Sequence, residues 1–319
     1  MSTPIARLVG ADAAVPDERL QSLWSGYGEI VRYTLSGADV DTVVVKRVAP
    51  PSSASAGHPR GWNTSRSHQR KLRSYTVESC WYERWSRRCT ARTPRCFGQS
   101  SDGVERVLVL EDLDAAGFTG RRDELSADEL GPCLDWLAEL HASFVGVDPT
   151  GLWPAGTYWH LDTRPDELAA MSEARLRDAA PRLDAALRGA KYRTIVHGDA
   201  KVANFCFASD GSVAAVDFQY VGGGCGVQDV AYFLSSCLES EELESFADAA
   251  LDRYFVSLGS ALEARRPELD RAELEAEWRA LYPIAWADFV RFLDGWAPAG
   301  HFKRHGYSAR MTELALTRI

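Results

Sequence analysis

Apolar and polar positions follow two regimes along the chain. Between residues 20 and 48, short apolar runs are separated by turn residues. Leu20 to Ser25, Glu29 to Leu35 and Asp41 to Val48 read as strands, with Ser36-Gly37-Ala38-Asp39 turning the second into the third. The β-branched Val43-Val44-Val45 suits a pleated, half-buried surface. Such short spacings predict a small antiparallel sheet. Pro50 to Thr64, rich in Pro, Ser, Ala and Gly, reads as a loop, and Ser65 to Arg88 as a helix. Val107 to Leu110 returns to strand and Glu111-Asp112-Leu113 ends it.

Beyond about residue 114 the helical period dominates. Ser126-Ala127-Asp128-Glu129 is a capping box opening a helix through Ala142. Further helices are expected near 166–189, 229–238, 241–263 and 271–293, interrupted by a short Thr194 to His197 strand and a hairpin over 204–217. A strand-rich lobe, residues 1–113, joined to a helix-rich lobe, residues 114–319, is an α+β arrangement.

Composition narrows the partners. The 319 residues carry a net charge of −9, which gives no global attraction to nucleic acid or an anionic membrane. Seven cysteines without zinc-site spacing point to reduced thiols in a cytoplasm. No signal peptide or membrane span is visible, and no obligate protein partner is implied.

The chemistry concentrates in His197-Gly198-Asp199-Ala200-Lys201-Val202-Ala203-Asn204 and in Asp217-Phe218, thirteen residues on. Asn204 to Ala208 and Val213 to Asp217 form two five-residue runs joined by Ser209-Asp210-Gly211-Ser212. If Ala208 faces Val213, the ladder puts Asn204 opposite Asp217 on one face. Two hard oxygen donors then converge, which suits Mg²⁺ held by few protein groups and by nucleotide phosphates. Asp199, at the hairpin's rim, is placed to accept a proton from a substrate hydroxyl.

Only five of the thirty-six basic residues are lysines, and two of them, Lys46 and Lys201, sit where phosphate chemistry would want them. Lys46 shares a strand face with Val44. In the helix that follows, Leu72, Tyr75, Glu78, Trp81, Tyr82 and Trp85 form one stripe, so Glu78 needs a buried partner. Lys46 is that partner, and Glu83 projects towards the side of Arg87. Ser25-Gly26-Tyr27-Gly28 could let backbone amides approach phosphates or be a plain turn. Asp229 is either an N-cap or a brace for the 197–204 loop. His197 and His141 read as structural, and the Arg66, Arg70, Lys71, Arg73 cluster as a solvated helix face. Trp278, Trp286, Phe289, Phe292 and Trp296 read mainly as core, with some left to line an acceptor pocket, alone or with Asp288 or Asp294 for a cation.

With Lys46, Glu78, His197-Gly198-Asp199, Asn204 and Asp217 in this order, the chain resembles kinase-like phosphotransferases: aminoglycoside phosphotransferases, choline kinases and ecdysteroid kinase-like proteins. Leu108 to Leu113 and Asp217-Phe218-Gln219 look closest to the ecdysteroid kinase-like branch. The resemblance implies a protein-kinase-like bilobal fold with ATP between the lobes, its adenine against the backbone around Leu110, Glu111, Asp112 and Leu113. Gly26, Gly28, Val44, Lys46 and Glu78 would complete the nucleotide site. Asp199 would be the catalytic base, Asn204 and Asp217 the Mg²⁺ ligands, and Lys201 a γ-phosphate contact. Gln219 in place of Gly, the incomplete glycine loop and the missing Ala-Pro-Glu motif depart from an ordinary protein kinase.

These readings lead to transfer of the ATP γ-phosphoryl group to a hydroxyl of a small-molecule acceptor. An aminoglycoside or macrolide antibiotic kinase is the alternative within the class. A nucleotide-binding pseudokinase or scaffold is the alternative outside it, against which stand Lys46, Asp199 and Asp217.

Overall fold

The computed structural model describes residues 4–50, 65–297 and 306–319. The loop expected over Pro50 to Thr64 lies, from residue 51 on, outside the described residues. Five strands form one antiparallel sheet: β1 (Ala13–Ser22), β2 (Gly28–Ser36), β3 (Thr42–Val48), β4 (Cys96–Asp102) and β5 (Glu105–Glu111). Their spatial order is β1-β2-β3-β5-β4. The first strand therefore begins at Ala13 and ends by Ser22, instead of running from Leu20 to Ser25. Both β1 and β4 are edge strands, and nine of the ten β1 residues are exposed. An edge strand that buries little needs few apolar residues, which is why β4 left no signal and β1 a misplaced one.

The two faces of the sheet have different partners. Val43, Val45 and Val109 bury against Ile5 and Ala6 of a short helix, α1 (Pro4–Val9). On the opposite face Leu108 and Leu110 join the main core with Val77, Trp81 and Tyr82. These last belong to α2 (Ser65–Cys80) and to a π-helical turn, Trp81–Trp85, followed by a 3₁₀ turn over Ser86–Arg88. The widened turn buries Trp81, Tyr82 and Trp85 together.

The rest is mainly helical: α3 (Leu130–Phe144), α4 (Pro165–Ala169), α5 (Ala174–Arg188), α6 (Val227–Cys237), α7 (Ser240–Arg265), α8 (Arg271–Trp296) and α9 (Gly306–Arg318). The capping box forms, with Ser126 and Glu129 reciprocally bonded. A single helix expected over 166–189 is instead α4 and α5. Asp294 accepts from the backbone amides of Ser172 and Glu173 at 2.7 and 2.8 Å, satisfying donors that a continuous helix would have used. Two small strand pairs lie among the helices: β6 (Thr194–Val196) with β9 (Gly222–Gly224), and β7 (Phe205–Phe207) with β8 (Val213–Ala215). β9 is three glycines, and carries no hydrophobic pattern to read. One core cluster runs from Val77 to Ala315. It joins the sheet-bearing lobe to the helical one in a protein-kinase-like bilobal arrangement. Among the described residues no helix is long and apolar enough to cross a membrane.

Candidate active site

The loop after β6 is held by one buried carboxylate. Asp229, near the start of α6, accepts from the amides of His197 (2.6 Å) and Gly198 (2.9 Å). His141 of α3 approaches the same carboxylate at 3.1 Å and bonds Tyr254 of α7 through its other nitrogen at 2.8 Å. Asp229 is thus the brace of the loop, and His141 a satisfied core histidine. Gly198 is required by geometry: its φ is +79°, and a Cβ there would lie 2.1 Å from the Tyr220 carbonyl oxygen. His197 is fully buried. Its Nε2 lies 3.0 Å from the Val216 carbonyl and its Nδ1 takes the Asp199 amide at 3.2 Å, so its ring ties the loop to the hairpin. Burial holds its pKa below the ordinary histidine value.

Asp199 lies at the turn of this loop. Burial pushes its carboxyl up to about 6, against the pull of Lys201 and of hydrogen bonds from Asn204 and Tyr232. Asn204 Nδ2 donates to its backbone oxygen at 2.7 Å and to its Oδ2 at 3.1 Å, and Lys201 Nζ stands 3.6 Å from Oδ2. Tyr232 is a residue that the sequence reading passed over. It lies one turn beyond Asp229 on α6, and Ser236, a turn further, accepts from the Val202 amide at 2.9 Å. Asp229, Tyr232 and Ser236 therefore present one helix face to the 197–204 loop, at the three- and four-residue spacing of a helical period. Tyr232 also hydrogen-bonds Tyr158.

The hairpin register differs from expectation by one residue. Phe207 pairs with Val213, Cys206 with Ala214 and Phe205 with Ala215. The turn is three residues, not four: the Ala208 amide donates to the Ser212 carbonyl at 2.9 Å, and Gly211, with a φ of +85°, closes it over Ser209 to Gly211. Asn204 is consequently opposite Val216, whose amide donates to its carbonyl at 3.0 Å. Asp217 leaves the ladder with φ +69°, a conformation uncommon outside glycine. That twist, and not a cross-strand pair, turns its carboxylate to face Lys46.

Lys46 is buried between two carboxylates, 2.7 Å from Glu78 Oε2 and 3.3 Å from Asp217 Oδ1. Burial opposes its charge, but the two carboxylates outweigh it and hold the ammonium above the ordinary lysine value. Burial also works to raise Asp217, yet Lys46, Gln219 and Lys201 hold it below the usual carboxylate range. Glu83 is exposed and pairs with Arg84 instead. Phe218 points away into the core, stacked on Trp81 with centroids 4.5 Å apart and 4.7 Å from the His197 ring. Gln219, where an ordinary kinase has glycine, donates to Asp217 Oδ1 at 2.5 Å and meets Ser74 of α2 at 3.1 Å.

Other expected site residues are placed as follows. Val44 lies on the Lys46 face of β3, opposite Leu110. Glu111 and Asp112 spend their side chains on the fold. Glu111 is bidentate with Arg92 at 2.7 and 2.9 Å, and Asp112 accepts from Arg32 and Thr42. Leu113 packs with Phe118 and Ala214. Gly26 lies in the turn between β1 and β2, which Ser25 ties to Lys71 of α2 at 2.8 Å, and Gly28 opens β2 opposite Val48. The basic cluster is not simply a solvated face. Arg66 pairs with Asp166, Arg70 donates to the Thr163 carbonyl and Arg73 to that of Leu152, so α2 reaches across to the helical lobe.

The aromatic residues of α8 divide. Trp278 and Trp286 are core, bonded to the Tyr192 carbonyl and to Ser308. Phe289 and Phe292 join Trp159 and Tyr232, with Tyr158 and Trp296 against them, beside Asp199. Asp288 is held by Arg291 and Trp159, and Asp294 caps the α4–α5 break, so neither stands open for a cation.

A divalent ion fits the donors present. Asn204 commits its amide nitrogen to Asp199, which leaves its oxygen as the donor for an ion. Asp217 supplies a partly buried carboxylate kept ionised by its cationic neighbours. Among the described residues no group of three or more His, Cys, Asp or Glu could hold an ion alone. Two hard oxygen donors suit an ion completed by water and phosphates.

Comparison with known proteins agrees with this fold. The model of the phosphotransferase enzyme family matches residues 81–269, more than half of the chain. A candidate fructosamine-3-kinase from Thermobifida fusca YX-ER1 superposes with a TM-score of 0.55 at 16% identity, over 98% of this chain and 97% of that one. An amicoumacin kinase in complex with AMP-PNP, Ca²⁺ and Ami gives 0.50 at 12% identity, over 93% and 86%. No curated protein matches the chain. The chain belongs to the phosphotransferase enzyme family.

Proposed function

We propose that the protein transfers the γ-phosphoryl group of Mg²⁺-bound ATP to a hydroxyl of a small molecule, with Asp199 as the base. The convergence of Lys46, Asp199 and Asp217 from three separate stretches of chain carries this reading. Residues 1–113 would form the nucleotide lobe and 114–319 the acceptor lobe. Adenine would lie against the backbone of Leu110 to Leu113, since the Glu111 and Asp112 side chains are engaged elsewhere. Gly26 and Gly28, with Val44, would cover the nucleotide. The ecdysteroid kinase-like branch is favoured by Leu108 to Leu113 and Asp217-Phe218-Gln219. Seven unpaired thiols favour the cytoplasm.

In this mechanism Lys46, aligned by Glu78, orients the α- and β-phosphates. Asn204 and Asp217 would hold the Mg²⁺, which neutralises developing phosphate charge when bound. Asp199 accepts the acceptor's hydroxyl proton as the new oxygen–phosphorus bond forms and the bond to the ADP oxygen breaks. With its carboxyl raised to about 6, Asp199 is ionised at neutral pH yet more basic than a free aspartate. Lys201 would face the γ-phosphate and also counter the Asp199 charge.

The test is a thermal shift with Mg·ATP followed by mass-spectrometric detection of phosphate gain across hydroxylated small molecules. A stabilising shift and one phosphorylated product are expected. Nucleotide binding without any transfer would instead mark a pseudokinase.

A further inference from the structure

Beside the Asp199 site, two arginines from different lobes meet. Arg70 of α2 donates to the Thr163 carbonyl at 2.8 Å and hydrogen-bonds Tyr220. Arg164, the residue after Thr163, is buried, donates to the Tyr158 carbonyl at 2.6 Å and lies over the Tyr158 and Phe292 rings. Burial and repulsion from Arg164 together hold Arg70 below the ordinary arginine value. One carboxylate, Glu167, serves both: it pairs with Arg164 at 3.0 Å and attracts Arg70 from further off. Two guanidinium groups thus share one negative charge out of bulk water, and Arg70 Nε is buried without a hydrogen-bond partner. Such an excess is costly unless an anion completes it.

The place of this pair relative to the chemistry is given by a row of tyrosines. Tyr220, bonded to Arg70, packs on Tyr158 with centroids 5.9 Å apart; Tyr158 bonds Tyr232, and Tyr232 bonds Asp199. Three carboxylates of this region, Asp288, Asp294 and Glu167, are all engaged within the fold.

We infer that the acceptor carries an anionic group, a carboxylate, sulfate or phosphate, bound by Arg70 and Arg164 while its hydroxyl faces Asp199. This rests on the phosphotransfer reading above and adds the acceptor's charge to it. Planar guanidinium groups suit oxyanions, and the tyrosine row offers flat surface to the body of the molecule.

The full chain is incubated with Mg·ATP and four pools: hydroxy acids, sugar phosphates and sulfates, neutral polyols, and polyamino sugars. Phosphate gain is expected in one of the first two, and which one responds identifies the anion. In Arg70→Gln the KM for that acceptor should rise about ten- to a hundredfold, the loss of a charge-assisted hydrogen bond, with Mg·ATP affinity kept. Arg70→Lys should recover part of it. Transfer confined to the neutral or polyamino pools, or an unchanged KM in Arg70→Gln, overturns the inference. A chain that binds no nucleotide overturns the phosphotransfer reading alone. The anion site is then judged by sulfate, expected to raise Tm in the wild type and not in Arg70→Gln; no such difference overturns it.

Discussion

Gln219 holds the carboxylate of Asp217, its Nε2 2.5 Å from Oδ1, while its own oxygen meets Ser74 of the other lobe's helix at 3.1 Å. The residue that departs from the usual glycine is therefore a link between the metal-binding candidate and α2. Hydrogen bonds to a ligating carboxylate commonly tune metal affinity by ten- to a hundredfold. Gln219→Ala should weaken Mg·ATP binding by about tenfold, measured by calorimetric titration with Mg²⁺ varied at fixed ATP. Affinity equal to or above wild type would show that the amide does not orient Asp217 for an ion.

Asp199→Asn should reduce turnover by about 10² to 10⁴-fold, with nucleotide affinity little changed. Wild-type kcat/KM should fall as pH drops through about 6, because only the ionised carboxylate accepts a proton.

The same residue makes a stability prediction of opposite sense. The folded carboxyl titrates near 6, above its ordinary 3.8, so the folded state holds the proton more tightly and ionised Asp199 destabilises the fold at neutral pH. Asp199→Asn should raise Tm at pH 7.5. The gain should shrink below pH 6 and be gone below about pH 4, as followed by calorimetry. A Tm gain independent of pH would assign it to another cause.

Tyr232→Phe removes one hydrogen bond to the Asp199 carboxylate, an interaction that lowers its pKa. The acid limb of the kcat/KM profile should move above the wild-type position near 6. An unmoved limb would separate Tyr232 from the base.

Asp229→Ala would leave the amides of His197 and Gly198 and one nitrogen of His141 without their acceptor in a fully buried site. A loss of about 3–5 kcal/mol in urea unfolding is expected, with a smaller loss for Asp229→Asn, which keeps one acceptor oxygen.

Much of the site was legible because it is local. Lys46 and Glu78 could be matched from a strand period and a helical stripe, since a carboxylate among aromatic residues needs a cation. Asp199, Asn204 and Asp217 stand out by residue type and spacing. Four long helices of the C-terminal lobe were readable from their apolar period, but the reading missed the break at residues 170–173, where Asp294 from a distant helix takes the backbone amides, and the short α9 (Gly306–Arg318).

What sequence left undetermined depends on partners far along the chain. The edge strands β1 and β4 bury too little to show a pattern, and β9 is glycine alone. The hairpin register turned on one residue, Gly211, whose left-handed backbone closes the turn in three residues instead of four. The contacts of Asp229, Tyr232 and Gln219 required the packing of α6 against the 197–204 loop and of α2 beside Gln219. The sequence alone thus pointed to the reaction class, because Lys46, Asp199, Asn204 and Asp217 are residue types suited to phosphoryl transfer. Tertiary structure decided how they are aimed and what charge lies beside them, since Arg70 and Arg164, ninety-four positions apart, meet only once the lobes pack.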